Sequence, residues 1–234
     1  MASLSTDGML RAHRVRIRVG RAVLDGDLEV PAEARGIVLF AHGSGSSRLS
    51  PRNRFVAAAL RQIGLGTLLF DLLTGAEEAI DSRTEELRFD IRLLADRLFG
   101  AKRWLADQNV LDGRSIGYFG ASTGAAAALA AAGEPGARIG AIVSRGGRPD
   151  LAGESLPRVT APTLLIVGGR DGPVIRWNEQ AFARLRCEKR MEIVQGATHL
   201  FEEPGTLQEV ARLASDWFVR HLGRTAVAQP GRMR

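Results

Sequence analysis

Early in the chain, apolar and charged residues alternate. Val15, Ile17 and Val19 interleave with Arg14, Arg16 and Arg18, the period-2 signature of a strand with one face in water. Gly20-Arg21 turns the chain into a second strand near residues 22–30, closed by Pro31. The pattern then changes. Gly36 to Ala41 is a short unbroken apolar run, as expected of a strand buried on both faces of a parallel sheet. Residues 66–70, 139–143 and 162–167 share that character, and 114–119 and 190–195 complete the set at lower apolar content. Between these runs the period is helical. Ser50-Pro51 reads as a helix start, followed by a buried stripe of Val56, Ala59, Leu60 and Ile63 that stops at Gly64. A long helix is expected to carry Leu87, Ile91, Leu94, Leu98 and Leu105 on one face. Thr206-Leu207-Gln208-Glu209 has the form of a capping box opening a last helix, with Val210, Leu213, Ala214 and Trp217 inward. Strand and helix alternate throughout, which predicts an α/β fold with a parallel sheet covered on both faces.

Composition narrows the class. The 234 residues are 45% apolar and 25% charged, a balance that supports a packed core. We expect a single domain over 1–222 and a basic tail over 223–234. No apolar run approaches the roughly 18 residues of a membrane span. The start, Met1 to Gly8, lacks the basic-then-apolar layout of a secretory signal. The one cysteine, Cys187, excludes an intrachain disulfide framework and reads as a small packed residue at a helix end. These features predict a cytoplasmic protein with no membrane association.

The net charge of +6 raises the question of nucleic acid. From Arg220 onward there are four arginines and no acid, so the rest of the chain carries 28 bases against 26 acids. No dense basic cluster with interleaved aromatics occurs, and nucleic-acid binding is not expected. No histidine or carboxylate cluster has ligand spacing, so neither a metal nor another cofactor is expected.

The chemistry concentrates in Gly120-Ala121-Ser122-Thr123-Gly124, a G-x-S-x-G pattern placed between a strand and an alanine-rich helix. A strained turn there lifts the serine hydroxyl above the sheet edge. A serine needs a base to take its proton. Of the four histidines, His13 lies in the first strand, His221 near the last helix end, and His42 in a glycine-rich loop that it is expected to order. His199 follows the last predicted strand and is the candidate base. Asp171, directly after the strand Leu164–Val167, is the candidate carboxylate to orient it, with Asp150 as competitor. The loop Ala41-His42-Gly43-Ser44-Gly45 leaves the third strand where an amide could hold an oxyanion together with that of Thr123. We assign Ser44, with Gly43 second.

On these residues the sequence resembles the α/β-hydrolase superfamily, and within it the dienelactone-hydrolase-like group. The resemblance runs over essentially the whole chain. It implies a mostly parallel sheet of about eight strands and hydrolysis through an acyl-enzyme. Dienelactone hydrolases themselves use a cysteine nucleophile. The serine at position 122 instead favours an esterase acting on a small-molecule ester substrate. A thioesterase, an acyltransferase or a non-catalytic binding protein on the same fold are the competing readings.

Access to the site is also legible. Only Arg145 to Ala161 separate two strands where this superfamily inserts lids, too few for a cap domain. Arg145 and Arg148 stand at the active edge as candidates for a substrate carboxylate, against an ion pair with Asp150 or Glu154. Trp177, Leu200 and Phe201 could line a pocket or belong to the core. Asp71 ends a buried strand at the same edge. The acidic stretch Glu77 to Glu86 reads as a solvated loop and helix start. Oligomeric state has no signature in the chain.

Overall fold

The computed structural model describes residues 13–222 except 109 and 112, so the expected tail over 223–234 lies outside the described residues. Eight strands form one sheet: β1 (His13–Val19), β2 (Ala22–Glu29), β3 (Gly36–Ala41), β4 (Gly66–Phe70), β5 (Ser115–Ala121), β6 (Ala141–Arg145), β7 (Thr163–Gly168) and β8 (Lys189–Val194). Their order is β1-β2-β4-β3-β5-β6-β7-β8. The β1–β2 hairpin and the β2–β4 pairing are antiparallel, and β4 through β8 run parallel. The expected α/β architecture with helices on both faces and no cap domain is the one observed.

Among the described residues there are six α-helices: α1 (Pro51–Gln62), α2 (Gly75–Thr84), α3 (Ile91–Asp107), α4 (Thr123–Ala132), α5 (Gly172–Arg184) and α6 (Thr206–Leu222). Successive strand residues point to opposite faces, so each central strand supplies two cores. Val38 and Phe40 pack with Val56 and Leu60 of α1 and Phe218 of α6. Leu39 between them packs with Leu94 and Leu98 of α3 and Leu129 of α4. That two-sided burial is why β3 reads as an unbroken apolar run. No described helix is long and apolar enough to cross a membrane.

Four local expectations are corrected. Leu87 does not belong to the long helix. Leu87–Phe89 is a separate 3-10 turn, and α3 starts at Ile91, where Asp90 accepts the Leu93 amide at 2.9 Å. Arg88 is drawn away from the helix by Asp81, which accepts its Nε at 2.7 Å and its amide at 2.9 Å. The acidic stretch mostly forms α2. Its start is a capping box in which Thr74 accepts the Glu77 amide and Glu77 the Thr74 amide. Thr206 makes no such box: it is already the first residue of α6, and its hydroxyl donates to Glu203 O at 2.7 Å. Finally, β6 starts at Ala141 rather than 139, since Arg138 adopts φ 45° and the Gly140 amide first joins Ile116 O at 2.8 Å.

Candidate active site

Three candidate side chains lie beyond the carboxyl ends of strands in one half of the sheet, β5 to β8. Ser122 follows β5 directly, Asp171 follows β7, and His199 lies in the loop after β8. Ser122 has φ 51° and ψ −122°, a conformation that L residues adopt only when the surroundings enforce it. The enforcement is visible. The Ser122 amide donates to Arg145 O at 3.3 Å, and its carbonyl accepts from the amides of Ala125 at 3.1 Å and Arg148 at 3.0 Å. The turn is thus locked between the end of β6 and the first turn of α4.

The flanking loop is equally close. A Cβ on Gly124 would overlap the carbonyl oxygens of Ala41 and His42, and one on Gly43 would stand 3.0 Å from the Ser122 Cβ. The β3 loop therefore packs backbone-on-backbone against the serine turn. Ser44 and Thr123 hydroxyls bond each other at 3.0 Å, tying the two loops together. Thr123 opens α4, so its N–H has no partner within that helix. The two amides assigned to the oxyanion are consequently in neighbouring, mutually tethered loops.

His199 Nδ1 lies 2.7 Å from Asp171 Oδ2. An ionised carboxylate only accepts, so Nδ1 is the donor of this bond and Nε2 is the ring nitrogen turned away from Asp171. The His199 loop is itself braced: Glu203 Oε2 accepts the Thr198 amide at 3.1 Å, and hydrogen bonding to Thr198 keeps the exposed Glu203 carboxyl below its ordinary range.

His42 orders its loop without facing the serine. Its Nε2 accepts the Leu72 amide at 3.0 Å, so Nδ1 is the protonated nitrogen and donates to Gly43 O at 3.0 Å. Burial lowers its pKa against the opposing pull of the Gly43 carbonyl, Asp71 and Glu78. Asp71 accepts the Arg48 amide at 2.7 Å and pairs with the Arg48 guanidinium, so it braces the same loop.

Ser122 and His199 share one cavity of about 190 Å³, walled also by Gly43, Ser44, Arg145 and Leu200. Arg148 and Trp177 are not among its lining residues. The Arg148 guanidinium is taken up by Asp150, at 3.0 Å and 2.9 Å, and stacks 3.7 Å from the Trp177 ring centroid. Phe201 is core, and Cys187 lies half-buried between α5 and β8. The sequence reading missed Arg52 and Asn53, which also line the cavity. Their signal was the Ser50-Pro51 helix start, which puts the first turn of α1 on this edge. A larger cavity of about 340 Å³, walled by His42, Asp71 and Glu78, shares Ser46 with this one but contains none of Ser122, Asp171 and His199. Among the described residues no group of three His, Cys, Asp or Glu is placed to hold a metal ion.

Comparison with known proteins agrees with this architecture. No protein-family model matches the chain. Two Mycobacterium tuberculosis proteins named "Putative phosphoribosyl transferase", from different strains, are each 55% identical over 218 residues, covering 93% of this chain and 48% of theirs. The chain spans about half the length of these curated relatives. Among solved structures, Est1E from Butyrivibrio proteoclasticus shares the fold with TM-score 0.75 at 14% identity, covering 90% of this chain and 99% of that one. The crystal structure of a dienelactone hydrolase from Anabaena variabilis matches with TM-score 0.89 at 58% identity, over 91% of this chain and 99% of that one. With that identity over a whole solved chain, and with the sheet order and strand-end site described above, this protein belongs to the dienelactone hydrolase family of α/β-hydrolases.

Proposed function

We infer that the protein is a serine hydrolase that cleaves small carboxylic esters through an acyl-serine intermediate. The observation that carries the reading is the pairing of His199 Nδ1 with Asp171 at 2.7 Å in a side chain that shares a cavity with Ser122. In this reading, Ser122 Oγ attacks the ester carbonyl carbon while His199 Nε2 takes its proton. The negative charge passes to the carbonyl oxygen, which the amides of Thr123 and Ser44 receive. Asp171 stabilises the imidazolium. The C–O bond to the alcohol breaks, the leaving oxygen takes the proton from His199, and the acyl group stays on Ser122. Water then attacks the acyl carbon with His199 again as base, releasing the acid and restoring the serine.

The small cavity and the absence of a cap domain support short substrates over long acyl chains. The name of the curated relatives refers to proteins about twice as long as this chain. We assign hydrolysis here because the dienelactone hydrolase likeness spans nearly all of both chains. The test is Ser122→Ala, assayed on a short-chain aryl ester alongside labelling by a fluorophosphonate probe. We expect turnover and labelling to vanish while the thermal unfolding transition stays in place. Retention of most of the activity would overturn the assignment.

A further inference from the structure

The cavity that holds Ser122 and His199 is electrostatically one-sided. No carboxylate lines it, whereas Arg52, Arg145 and the hydroxyl-bearing Ser46 and Ser50 do. Arg145 is 7% exposed, and its Nε and Nη1 donate to nothing among the described residues. Its aromatic neighbour Phe201 stands 5.9 Å away by ring centroid. Burial pulls its pKa down to about 10, and the nearby positive charge of Arg52 adds to the fall. The group is still a cation at neutral pH. A buried cation without a counter-ion is costly, and an orphaned buried donor calls for an explanation.

Two further features point the same way. Ser50 caps α1 by accepting the Asn53 amide, and both residues line the cavity, so the positive end of a 12-residue helix opens onto it. Arg52, in that first turn, donates to Glu202 at 2.9 Å. Glu202 is 62% exposed, so this rim pair is weak and exchangeable. Arg148, the other arginine of this edge, is committed to Asp150.

We propose that this end of the cavity is a subsite for a phosphoryl group carried by the substrate, held by Arg145 and Arg52 at the start of α1 beside Ser122. The proposal deepens the esterase reading and rests on it for the scissile bond. A carboxylate offers two oxygens and one negative charge, which one guanidinium satisfies. Two guanidinium groups, a helix start and serine hydroxyls around one acid-free space call for more. A phosphomonoester supplies three terminal oxygens and about −1.5 to −2 charges near neutral pH. The cavity volume restricts the rest of the substrate to a few atoms.

The test compares the acetyl esters of 2-hydroxyethyl phosphate, of 3-hydroxypropionate and of 2-methoxyethanol, by acetate release. Wild-type protein is expected to prefer the phosphate-bearing ester. Arg145→Met should lower kcat/KM on that ester about 30-fold or more, and on the neutral ester by about fivefold at most. Arg52→Met, at a partly exposed rim position, should shift the same ratio in the same direction by about three- to tenfold. Equal losses on all three esters, or a wild-type preference for the carboxylate ester, would overturn the proposal. Calorimetric titration of inorganic phosphate into Ser122→Ala gives a readout independent of turnover. Binding that disappears in the Arg145→Met, Ser122→Ala double variant supports the subsite, and absence of binding to Ser122→Ala refutes it. If none of the esters is hydrolysed, the esterase reading fails while the titration still decides the subsite.

Discussion

Asp171 occupies the N-cap position of α5 yet makes no side-chain bond to that helix, because its Oδ2 lies 2.7 Å from Nδ1 of His199. An aspartate at that position ordinarily contributes about 1 kcal/mol to its helix by accepting an amide from the first turn. Here that contribution is forgone and the carboxylate points across to the β8 loop. Helix stability has been exchanged for the orientation of one imidazole ring.

Asp171→Asn separates the two demands. Asparagine caps helices as well as aspartate does, so the variant is expected to keep or slightly raise its melting temperature. Its amide cannot fix Nδ1–H and leave Nε2 free in the same way, and ester turnover should fall by about 10³–10⁴-fold in kcat. A variant with activity within about tenfold of wild type would show that His199 does not depend on Asp171.

The hydroxyl tether between Ser44 and Thr123 suggests a finer probe. Thr123→Val keeps the backbone amide and nearly the same volume but removes the 3.0 Å bond. If that bond holds the Ser44 amide in place for a developing oxyanion, kcat should drop by about tenfold with KM little changed. A change in KM alone would assign Thr123 to substrate binding instead.

His42 sets a limit on acid stability. Burial puts its folded-state pKa below the ordinary 6.5, so the folded protein keeps the ring neutral where the unfolded chain takes up a proton. The unfolded state therefore binds more protons below pH 6.5. The stability present above that value is lost as pH falls, by at most about 1.4 kcal/mol per pH unit from this group. Urea titrations at pH 7.5 and 5.5 should show a smaller loss for His42→Gln than for wild type. An identical pH dependence in the two proteins would mean that His42 is not the group responsible.

The elements that were legible in the sequence are those whose signal is local. β3, β4 and β7 are buried on both faces and read as apolar runs, while β1 reads as alternation because one face meets water. What the periodicity misjudged were ends governed by a single side chain. Leu87 fits the stripe of α3 in register, yet Arg88 is held by Asp81 from another helix and Asp90 restarts the chain. The T-x-x-E pattern occurs both at Thr74 and at Thr206, but Thr74 precedes its helix and caps it, whereas Thr206 is already the first residue of α6 and its hydroxyl donates back to Glu203 O.

The sequence by itself determined the order of strands and helices and put Ser122, Asp171 and His199 each just beyond a strand. Strand-end loops of a parallel sheet share one edge, so adjacency in that list becomes proximity in space. Only the tertiary structure distinguishes the surroundings of Arg145 and Arg148, three residues apart at that edge. Arg148 leaves the strand and meets Asp150 and Trp177. Arg145 ends β6 and lines the cavity, with its buried Nε and Nη1 unpaired among the described residues. Pairing and desolvation depend on residues distant in the chain, and no local pattern carries them.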